Sequence, residues 1–448
     1  MLKYWKYHKF SIFMGLASMA FYIAFAYDLE RTNFLKLITL YGALFYLFHT
    51  LVKIEKTNLP LLTILAVFFR LLFLIATPNL SQDFYRFIWD GRMLYEGFNP
   101  YLYLPANLIE QNIAPVAQAH ILFEGMGDLS AGHYTNYPPV NQLLFLIAAL
   151  FTNDHILGAI IVLRTIIILA DIGILFFGTR LLKQLKIPSY YIFFYILNPF
   201  VIIELTGNLH FEGVMLFFLI LSLYLLANNK WRTAAFSMAL SISVKLLPLL
   251  ILPLFLQKLR IKKAFFFYSL TLICTVAMFV PFFSYYFINS YSETLALWFT
   301  NFEFNGSFYI IIREIGYKVK GYNIINTVGK IIPVVVVAVI IAITFFRKNS
   351  TMPQLISGML LALSFYFFTA SVVHPWYIST LVLLSVFTTY RFPLLWSLTI
   401  MLSYFTYAQP NFRENYFVQT LQYLPVLTLC LYEIFSKDKK ISISTEKI

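Results

Sequence analysis

Residues 59–92 read LPLLTILAVFFRLLFLIATPNLSQDFYRFIWDGR, an apolar run followed at once by a polar and aromatic segment. The run at 59–76 is long and apolar enough to cross a bilayer as one helix. The segment 81–92 then brings two aspartates, two arginines and a tryptophan. If 81–92 is helical, Asp83 and Asp90 project from one face. The pattern predicts a membrane protein with a polar site, or a solvated loop, beside this span.

Composition places the chain in a membrane. Of its 448 residues, 60% are hydrophobic and only 12% are charged, whereas soluble proteins have about 25% charged residues. The aromatic share of 19% suits lipid-facing surfaces and interfacial belts. The two cysteines, Cys274 and Cys430, both lie in apolar runs, so the sequence predicts neither a disulfide framework nor a cysteine metal site.

Apolar runs predict an all-α polytopic membrane protein with about twelve transmembrane helices. They lie near 10–27, 34–52, 59–76, 156–182, 188–206, 213–228, 263–283, 326–346, 353–371, 375–390, 392–408 and 417–435. Three shorter pieces, at 141–151, 232–244 and 246–256, cannot cross alone. We interpret the first as a dipping segment and the other two as a broken, re-entrant pair with Lys245 at its apex.

The positions of the basic residues predict how these spans are oriented in the membrane. With the N-terminus in the cytoplasm, most of the 33 basic residues fall in short inner segments, as the positive-inside rule requires. Residues 436–448 then form a basic cytoplasmic tail. The net charge of +13 follows from this topology and from attraction to anionic lipid, so no nucleic-acid partner is expected. The whole chain, 1–448, is predicted to form one integral membrane domain.

This topology leaves two long outer loops, at 77–140 and 284–325. Loops longer than about 15 residues are usually functional or disordered. The first loop contains WDGRMLYEGFNPYLYLP and HYTNYPPVNQLLF, whose aromatic and proline content favours interfacial helices lying on the membrane surface.

Polar residues from separate parts of the chain gather at the same outer boundary. They are Asp83, Arg86, Asp90 and Arg92 in the first outer loop, Asn208, His210 and Glu212 in GNLHFEG, Lys245 in SVKLLP, and His374, Trp376 and Tyr377 in VVHPWY. Ionisable groups at membrane depth are costly and usually mark a substrate pathway. Because these groups are expected at the same side of the membrane, the sequence predicts a functional site there.

Each of these residues also has an ordinary interpretation. Asp83 can be a solvated loop carboxylate, Lys245 can extend its side chain to the headgroups, and the aromatic residues of HPWY can belong to an interfacial belt. Inside the spans, Arg164 and Asp171 are expected to form a structural pair, and Arg70 to play a similar part.

Three classes of membrane protein differ in where they place such polar groups. A transporter places ionisable groups near mid-membrane and has broken helices in both related halves, whereas here the polar groups lie at the outer rim and the broken pair has no clear counterpart. A channel needs a polar stripe along a pore, which the sequence does not show. An enzyme for lipid-linked substrates needs an outer cavity with an acid or base and cations for phosphate, which is the pattern present. A transporter or flippase of lipid-linked sugars is the alternative.

The order of the motifs along the chain resembles that of a known protein family. Six motifs follow one another between residues 60 and 410. They are an aspartate-bearing outer loop, WDGR with G-x-NPY, NYPP-x-x-Q, NLHFEG, K-x-x-P and HPWY. The chain resembles the GT-C superfamily of membrane glycosyltransferases, which use polyprenyl-phosphate sugars, and within it bacterial proteins of the mannosyltransferase type. The resemblance implies transfer of a hexose, with mannose expected, to a lipid or glycan acceptor on the outer face of the cytoplasmic membrane.

The resemblance also implies residue roles. Asp83 is expected to take the acceptor proton as general base, with Asp90 in reserve, in a catalytic loop at 77–140. The expected substrate-binding residues are Lys245, Arg92, His374 and Arg86 at the leaving phosphate, Asn208, His210 and Glu212 at sugar hydroxyls or the acceptor, and Trp376 and Tyr377 closing the pocket.

No cofactor is expected, because no phosphoryl group is transferred and no nucleotide-binding Gly-rich loop is present in the sequence. Carboxylates and imidazoles of the same site are candidate ligands for a divalent metal. No spacing forces them together, so no metal is predicted. The expected partners are a lipid-linked sugar donor, a lipid or glycan acceptor, and membrane lipid.

Overall fold

Helices make up the described chain, residues 2–152 and 154–445 of a computed structural model, and within those ranges no strand is formed. One isolated parallel bridge joins Phe304 to Val372. The prediction of an all-α polytopic membrane protein is confirmed at this level. The side chains of 437–448, in the predicted basic tail, lie outside the described residues.

The first part of the chain forms helices on both sides of the Asp83 segment. They are α1 (Leu2–Tyr27), α2 (Phe34–Ile54), α3 (Leu59–Leu71), α4 (Asp83–Tyr95), α5 (Pro105–Glu110), α6 (Ala119–Ala131), α7 (Pro139–Thr152), α8 (Ile156–Gln184), α9 (Phe193–Ile196), α10 (Pro199–Val201), α11 (Glu212–Ala227) and α12 (Trp231–Val244). Short 3₁₀ turns lie at Pro100–Leu102 and Ser189–Ile192, and a π-helical turn at Ile202–Gly207.

The second part continues the bundle. Its helices are α13 (Pro248–Ile251), α14 (Leu256–Phe279), α15 (Tyr285–Thr300), α16 (Phe308–Lys320), α17 (Ile325–Phe346), α18 (Met352–Thr369), α19 (Ser379–Val386), α20 (Phe392–Thr399) and α21 (Tyr416–Thr445). 3₁₀ segments lie at Leu252–Phe255, Val280–Phe282, Pro375–Ile378, Ile400–Ala408 and Pro410–Phe412.

Helix starts follow from local capping residues. Asn33 and Asn58 accept backbone N–H groups at the first turns of α2 and α3, and Pro60 occupies the first turn of α3. Thr351 and Gln354 form a capping box at the start of α18. Such side chains satisfy backbone donors that otherwise lack a partner, so each interruption of the bundle is stabilised where it occurs.

Within the described residues, six helical segments are long and apolar enough to cross a membrane, or seven if one bent pair is a single span. They are Tyr7–Tyr27, Phe34–Ile54, Ile156–Gln184, Pro248–Phe282, Ile325–Phe346 and Met352–Thr369, and the pair is Ser189–Ile196 with Pro199–Gly207, bent by 47°. Apolar runs such as 59–76 and 213–228 instead form helices of only 13 and 16 residues. These are shorter than the roughly 20 residues that cross a hydrocarbon core, so the count of about twelve stays a prediction.

The buried charges of the spans are paired differently from the sequence prediction. The Nε of Arg70 donates to Asp171 Oδ2 at 2.7 Å, so the pair links α3 to α8. Arg164 donates instead to three carbonyls, those of Leu74, Thr206 and Gly207, at 2.8–2.9 Å. The expected Arg164–Asp171 pair is therefore wrong, because the guanidinium of Arg164 is used to satisfy backbone at two helix breaks.

Breaks in the helices position four of the predicted site residues at the ends of helical segments. Asp83 is the first residue of α4, Glu212 is the first of α11, and His374 precedes the Pro375–Ile378 turn. Lys245 ends α12 in an extended conformation, with φ −147° and ψ 140°, which places the break where the sequence predicted it. The predicted dipping segment is α7, which packs against α4 and α8.

Gly91 allows α4 and α7 to approach closely. A Cβ at this position would overlap the backbone carbonyl of Phe145, whereas a Cβ at Gly42 in α2 would meet nothing within 4 Å. The glycine of WDGR is thus a packing residue, and it fixes the distance between the two helices.

We expect Gly91→Ala to lower the free energy of unfolding by about 1–3 kcal/mol, the usual cost of overpacking a close contact. The matched variant Gly42→Ala should leave stability unchanged or raise it slightly, because alanine is the better helix former. Thermal unfolding of both variants in one detergent measures the difference. Equal melting temperatures for the two variants would contradict the close packing.

Candidate active site

The segment that leads to Asp83 is fixed by hydrogen bonds from several elements. Asn208 accepts the backbone N–H of Leu80 on Oδ1 at 3.0 Å. Asn79 donates through Nδ2 to two carbonyls near the end of α1 at 2.7 and 2.9 Å. Arg31 donates to the carbonyl of Leu80 at 3.3 Å. Together these contacts set the position at which α4 begins.

Asn208 was expected to bind substrate, but its amide is used by the backbone. Its Oδ1 holds Leu80, and its Nδ2 donates to the carbonyl of Ile203 at 3.0 Å. The residue is almost fully buried. Its role in the structure is to position the start of α4 relative to α11.

Asp83 lies partly exposed at the first turn of α4. Among the described residues, no hydrogen-bond donor contacts its carboxylate oxygens. Burial raises the pKa of this carboxyl to about 6, the nearby charge of Glu212 also raises it, and the charges of Lys245 and Arg31 lower it. Asp83 is therefore a carboxylate with free oxygens and a pKa close to neutrality, which suits proton exchange.

Lys245 and Glu212 form an ion pair at the centre of the site. The Nζ of Lys245 lies 2.6 Å from Glu212 Oε1, with side-chain exposures of 24% and 3%. The same Nζ lies 5.8 and 6.0 Å from the ring centroids of Tyr137 and Tyr377. The second carboxylate oxygen of Glu212 is buried without a hydrogen-bond partner among the described residues. It is available to accept a bond from a ligand.

Four rings stack beside this ion pair. Trp376 stacks on His210, with centroids 3.6 Å apart and planes 14° apart, and on His374, at 4.5 Å and 2°. His374 also stacks on Phe304 at 4.9 Å. The indole of Trp376, which was expected to help close the pocket, is therefore packed against two imidazoles. Tyr377 meets the stack edge-on and lines the cavity.

Both histidines of the stack are held in the neutral form. Burial is the largest cause, and the charge of Lys245 adds to it: the pKa of His374 falls to about 3, and the pKa of His210 also falls well below its ordinary value. A neutral imidazole does not supply a positive charge, so His374 does not fit the expected role of a cation for phosphate. His210 Nε2 and His374 Nδ1 are buried with no hydrogen-bond partner among the described residues, so a ligand can bond them.

Asp90 lies apart from this cluster. Its carboxylate is fully buried and accepts from Arg86 Nε at 2.8 Å and from Gln142 Nε2 at 3.0 Å. Arg86 also donates to the carbonyls of Ser130 and His133 at 2.7 and 2.9 Å. The arginine therefore joins α4 to the end of α6 and does not face the cavity, and Asp90 has no oxygen without a donor.

Arg92 is directed away from the site as well. It is fully buried, and its guanidinium donates to the carbonyl of Ala117 and to Gln118 Oε1. The expectation that it stabilises phosphate is not met by this geometry. A buried guanidinium needs acceptors, and the turn before α6 provides them.

Two residues to which the sequence analysis gave no role complete the surroundings of Asp83. Arg31, in the short link between α1 and α2, lies 4.2 Å over the ring of Tyr407, and its charge acts on Asp83. The ring centroid of Tyr137 lies 5.8 Å from Lys245 Nζ, and the charge of Asp83 acts on the Tyr137 hydroxyl. Tyr137 stands in the quoted NYPP motif, and Arg31 is charged and precedes α2, so both had a signal in the sequence.

A cavity of about 390 Å³ opens from the ion pair. Its polar end is formed by Lys245, Glu212, Tyr137 and Tyr377. The rest is apolar, formed by Leu246, Leu247, Leu249, Leu250, Ile332, Pro333, Val336 and Val337 among others. In the part of the chain that the structure describes, no group of three or more His, Cys, Asp or Glu side chains is placed to hold a metal ion.

The chain matches a protein family described as alpha-(1->6)-mannopyranosyltransferase, N-terminal domain. The match spans residues 17–259, more than half of the chain. The chain belongs to this family. A weaker similarity joins it to alpha-(1->6)-mannopyranosyltransferase B of Corynebacterium glutamicum, at 24% identity over 153 residues, which is 34% of this chain and 24% of that protein.

The mannopyranosyltransferase family match includes one side of the site and not the other. Asp83, Glu212 and Lys245 lie inside the matched residues 17–259. His374 and Trp376 lie beyond them, in the second part of the bundle. Since the matched region of the Corynebacterium protein is about a quarter of its length, the family membership describes the Asp83 side of the site most directly.

The Lys245–Glu212 pair yields a test of stability in this family member. Lys245→Met leaves Glu212 buried without its cation, so we expect the free energy of unfolding to fall by about 3 kcal/mol. The double variant Lys245→Met/Glu212→Gln should recover most of that loss, because the buried side chain at position 212 then carries no unpaired charge. Lys263→Met, at an exposed lysine, is the control for removal of one positive charge. A double variant no more stable than the single one would show that the pair does not stabilise the site.

Proposed function

We propose that this protein transfers a mannosyl residue from a polyprenyl-phosphate-linked donor to a lipid or glycan acceptor, as an enzyme of the GT-C type. The observation that carries the proposal is the cavity at the Lys245–Glu212 pair, which is charged at one end and apolar along its length, together with the effect of both charges on Asp83. Membership of the alpha-(1->6)-mannopyranosyltransferase family supports the choice of mannose.

The cavity suits a lipid phosphate. The ammonium of Lys245 is a compact point charge at the polar end, suited to a phosphate group. The apolar lining from α13 and α17 suits a polyprenyl chain, because burying apolar surface is favourable at about 25 cal/mol per Å². A donor bound in this way has its phosphate at Lys245 and its sugar directed toward Asp83.

Asp83 is the proposed general base. It takes the proton of an acceptor hydroxyl while that oxygen bonds to the anomeric carbon, and the bond from this carbon to the phosphate oxygen breaks. Polyprenyl phosphate leaves with the electron pair of that bond, and Lys245 balances its negative charge. Glu212 Oε2 and the free nitrogens of His210 and His374 are the proposed contacts for sugar hydroxyls.

The proposed location is the outer face of the cytoplasmic membrane. Both termini are cytoplasmic in this topology, and the loop 77–140 that carries Asp83 lies outside. The distribution of basic residues supports this orientation. In this arrangement the donor lipid enters the apolar cavity from the outer leaflet.

Substitution of the base tests the function. We expect Asp83→Asn to reduce mannosyl transfer by about 100-fold or more, in the range for loss of general-base catalysis. The protein is reconstituted in lipid nanodiscs with radiolabelled polyprenyl-phosphate mannose and a membrane glycolipid extract, and transferred label and released polyprenyl phosphate are both counted. Asp128→Asn, at an exposed aspartate of α6, is the matched control and should transfer like wild type.

The outcomes of this experiment distinguish Asp83 from Asp90 as the base, and a transferase from a flippase. Full transfer by a folded Asp83→Asn variant would remove Asp83 as the base. Asp90→Asn is expected to lower stability, because it breaks the buried pair with Arg86. Wild-type protein that moves labelled donor across the bilayer but transfers no sugar would favour the flippase alternative.

The pH dependence tests the same carboxylate. A general base must be deprotonated, so with a pKa of about 6 for Asp83, kcat/KM should fall as the pH decreases below that value. Arg31→Gln removes a charge that lowers this pKa, so the acidic limb should move to higher pH. Initial rates from pH 4.5 to 8 in nanodiscs measure both profiles. An acidic limb at the same pH in the two proteins would contradict the assigned environment of Asp83.

A further inference from the structure

A second cavity lies at the far end of α2 from Arg31. It encloses about 460 Å³ between the last turns of α2, the Ser189–Ile196 segment, and the link from α19 to α20. Because α2 has 21 residues and a helix rises about 1.5 Å per residue, this cavity is about 30 Å from the Asp83 end of the bundle. It is a separate site, and the proposed transfer reaction does not use it.

Three cations line this cavity: Lys53, Lys56 and Arg391. None of them takes part in an ion pair among the described residues. The lining residues include no carboxylate. Glu433 is nearby, but its oxygens accept the backbone N–H of Arg391 at 2.8 and 2.9 Å. The positive charge in the cavity is thus not neutralised by the side chains that line it.

The remaining walls of the cavity are built to hold a polar group. The guanidinium of Arg391 lies 4.8 Å over the ring of Tyr191, which orients its planar donors. His49 lines the cavity, and its Nδ1 is buried with no hydrogen-bond partner among the described residues. A buried polar nitrogen without a partner is costly, so a ligand that bonds it is favoured. Tyr190 adds a further aromatic and hydroxyl-bearing wall.

We propose that this cavity binds a phosphate group, either in the headgroup of an anionic lipid or as free inorganic phosphate. Arginine forms paired hydrogen bonds with phosphate oxygens, and lysines add charge without geometric demand. Basic residues beside a membrane attract anionic headgroups. A phosphate oxygen that reaches His49 completes the hydrogen bonding of the buried imidazole.

The test is ligand binding to the full-length protein in detergent. Phosphatidylglycerol and phosphatidylcholine are titrated and the bound lipid is counted by native mass spectrometry, while equilibrium dialysis measures radiolabelled inorganic phosphate. We expect Lys53→Gln/Lys56→Gln/Arg391→Gln to weaken binding of phosphatidylglycerol or of phosphate at least tenfold. The control, Lys183→Gln/Lys186→Gln/Lys230→Gln, removes three exposed lysines that do not line the cavity and should bind like wild type.

The two ligands distinguish the source of the phosphate. A loss confined to phosphatidylglycerol supports a lipid headgroup, and a loss confined to inorganic phosphate supports a soluble ligand. If the cavity variant and the control bind both ligands equally, the proposal is overturned. Lys53→Gln/Lys56→Gln changes only exposed side chains and gives the same comparison if the triple variant does not fold. Mannosyl transfer is measured separately, so failure of either proposal leaves the other standing.

Discussion

The guanidinium of Arg164 holds together the part of the bundle on which the site depends. It bonds the carbonyls of Leu74, Thr206 and Gly207, which end two helical segments inside an apolar environment. Backbone groups at such breaks have no water to bond, and each one left unsatisfied costs several kcal/mol. One side chain therefore permits two interruptions side by side, and the segments that follow them carry Asp83 and His210.

The acidic residues beside these breaks fall into two groups, according to whether each carboxylate is fully paired with a cation. Asp90 and Arg86 neutralise each other in a buried pair and connect helices. Lys245 instead pairs directly with Glu212, and among the described residues no donor contacts the Asp83 carboxylate. Burial raises the pKa of a carboxyl that has no direct partner. The raised pKa of Asp83 thus results first from burial, with the charge of Glu212 adding to it and the charges of Lys245 and Arg31 opposing it.

The sequence was sufficient for the helical class, the break at Lys245 and the proximity of Glu212, Lys245 and Tyr377. Those features depend on local apolar runs and on short-range capping. It was not sufficient for Arg92, because the direction of a side chain around α4 depends on the acceptors of the turn before α6. The stacking of His210 on Trp376 joins residues from α11 and the HPWY segment, and no local pattern records it. The Arg86–Asp90 pair, four residues apart on a helix, was readable in advance.

The bridge between Phe304 and Val372 has a consequence for how the protein diversifies. It ties the second long loop to the segment before His374, and Phe304 stacks on that imidazole. The Asp83 side of the site comes from the N-terminal part of the chain, and His374 and Trp376 come from the C-terminal part. A substitution at Phe304 in the second loop therefore alters the stacked side first, whereas the charges that act on Asp83 come from Arg31, Glu212 and Lys245. The stacked side of the site can thus change in sequence while the environment of the Asp83 carboxylate is kept.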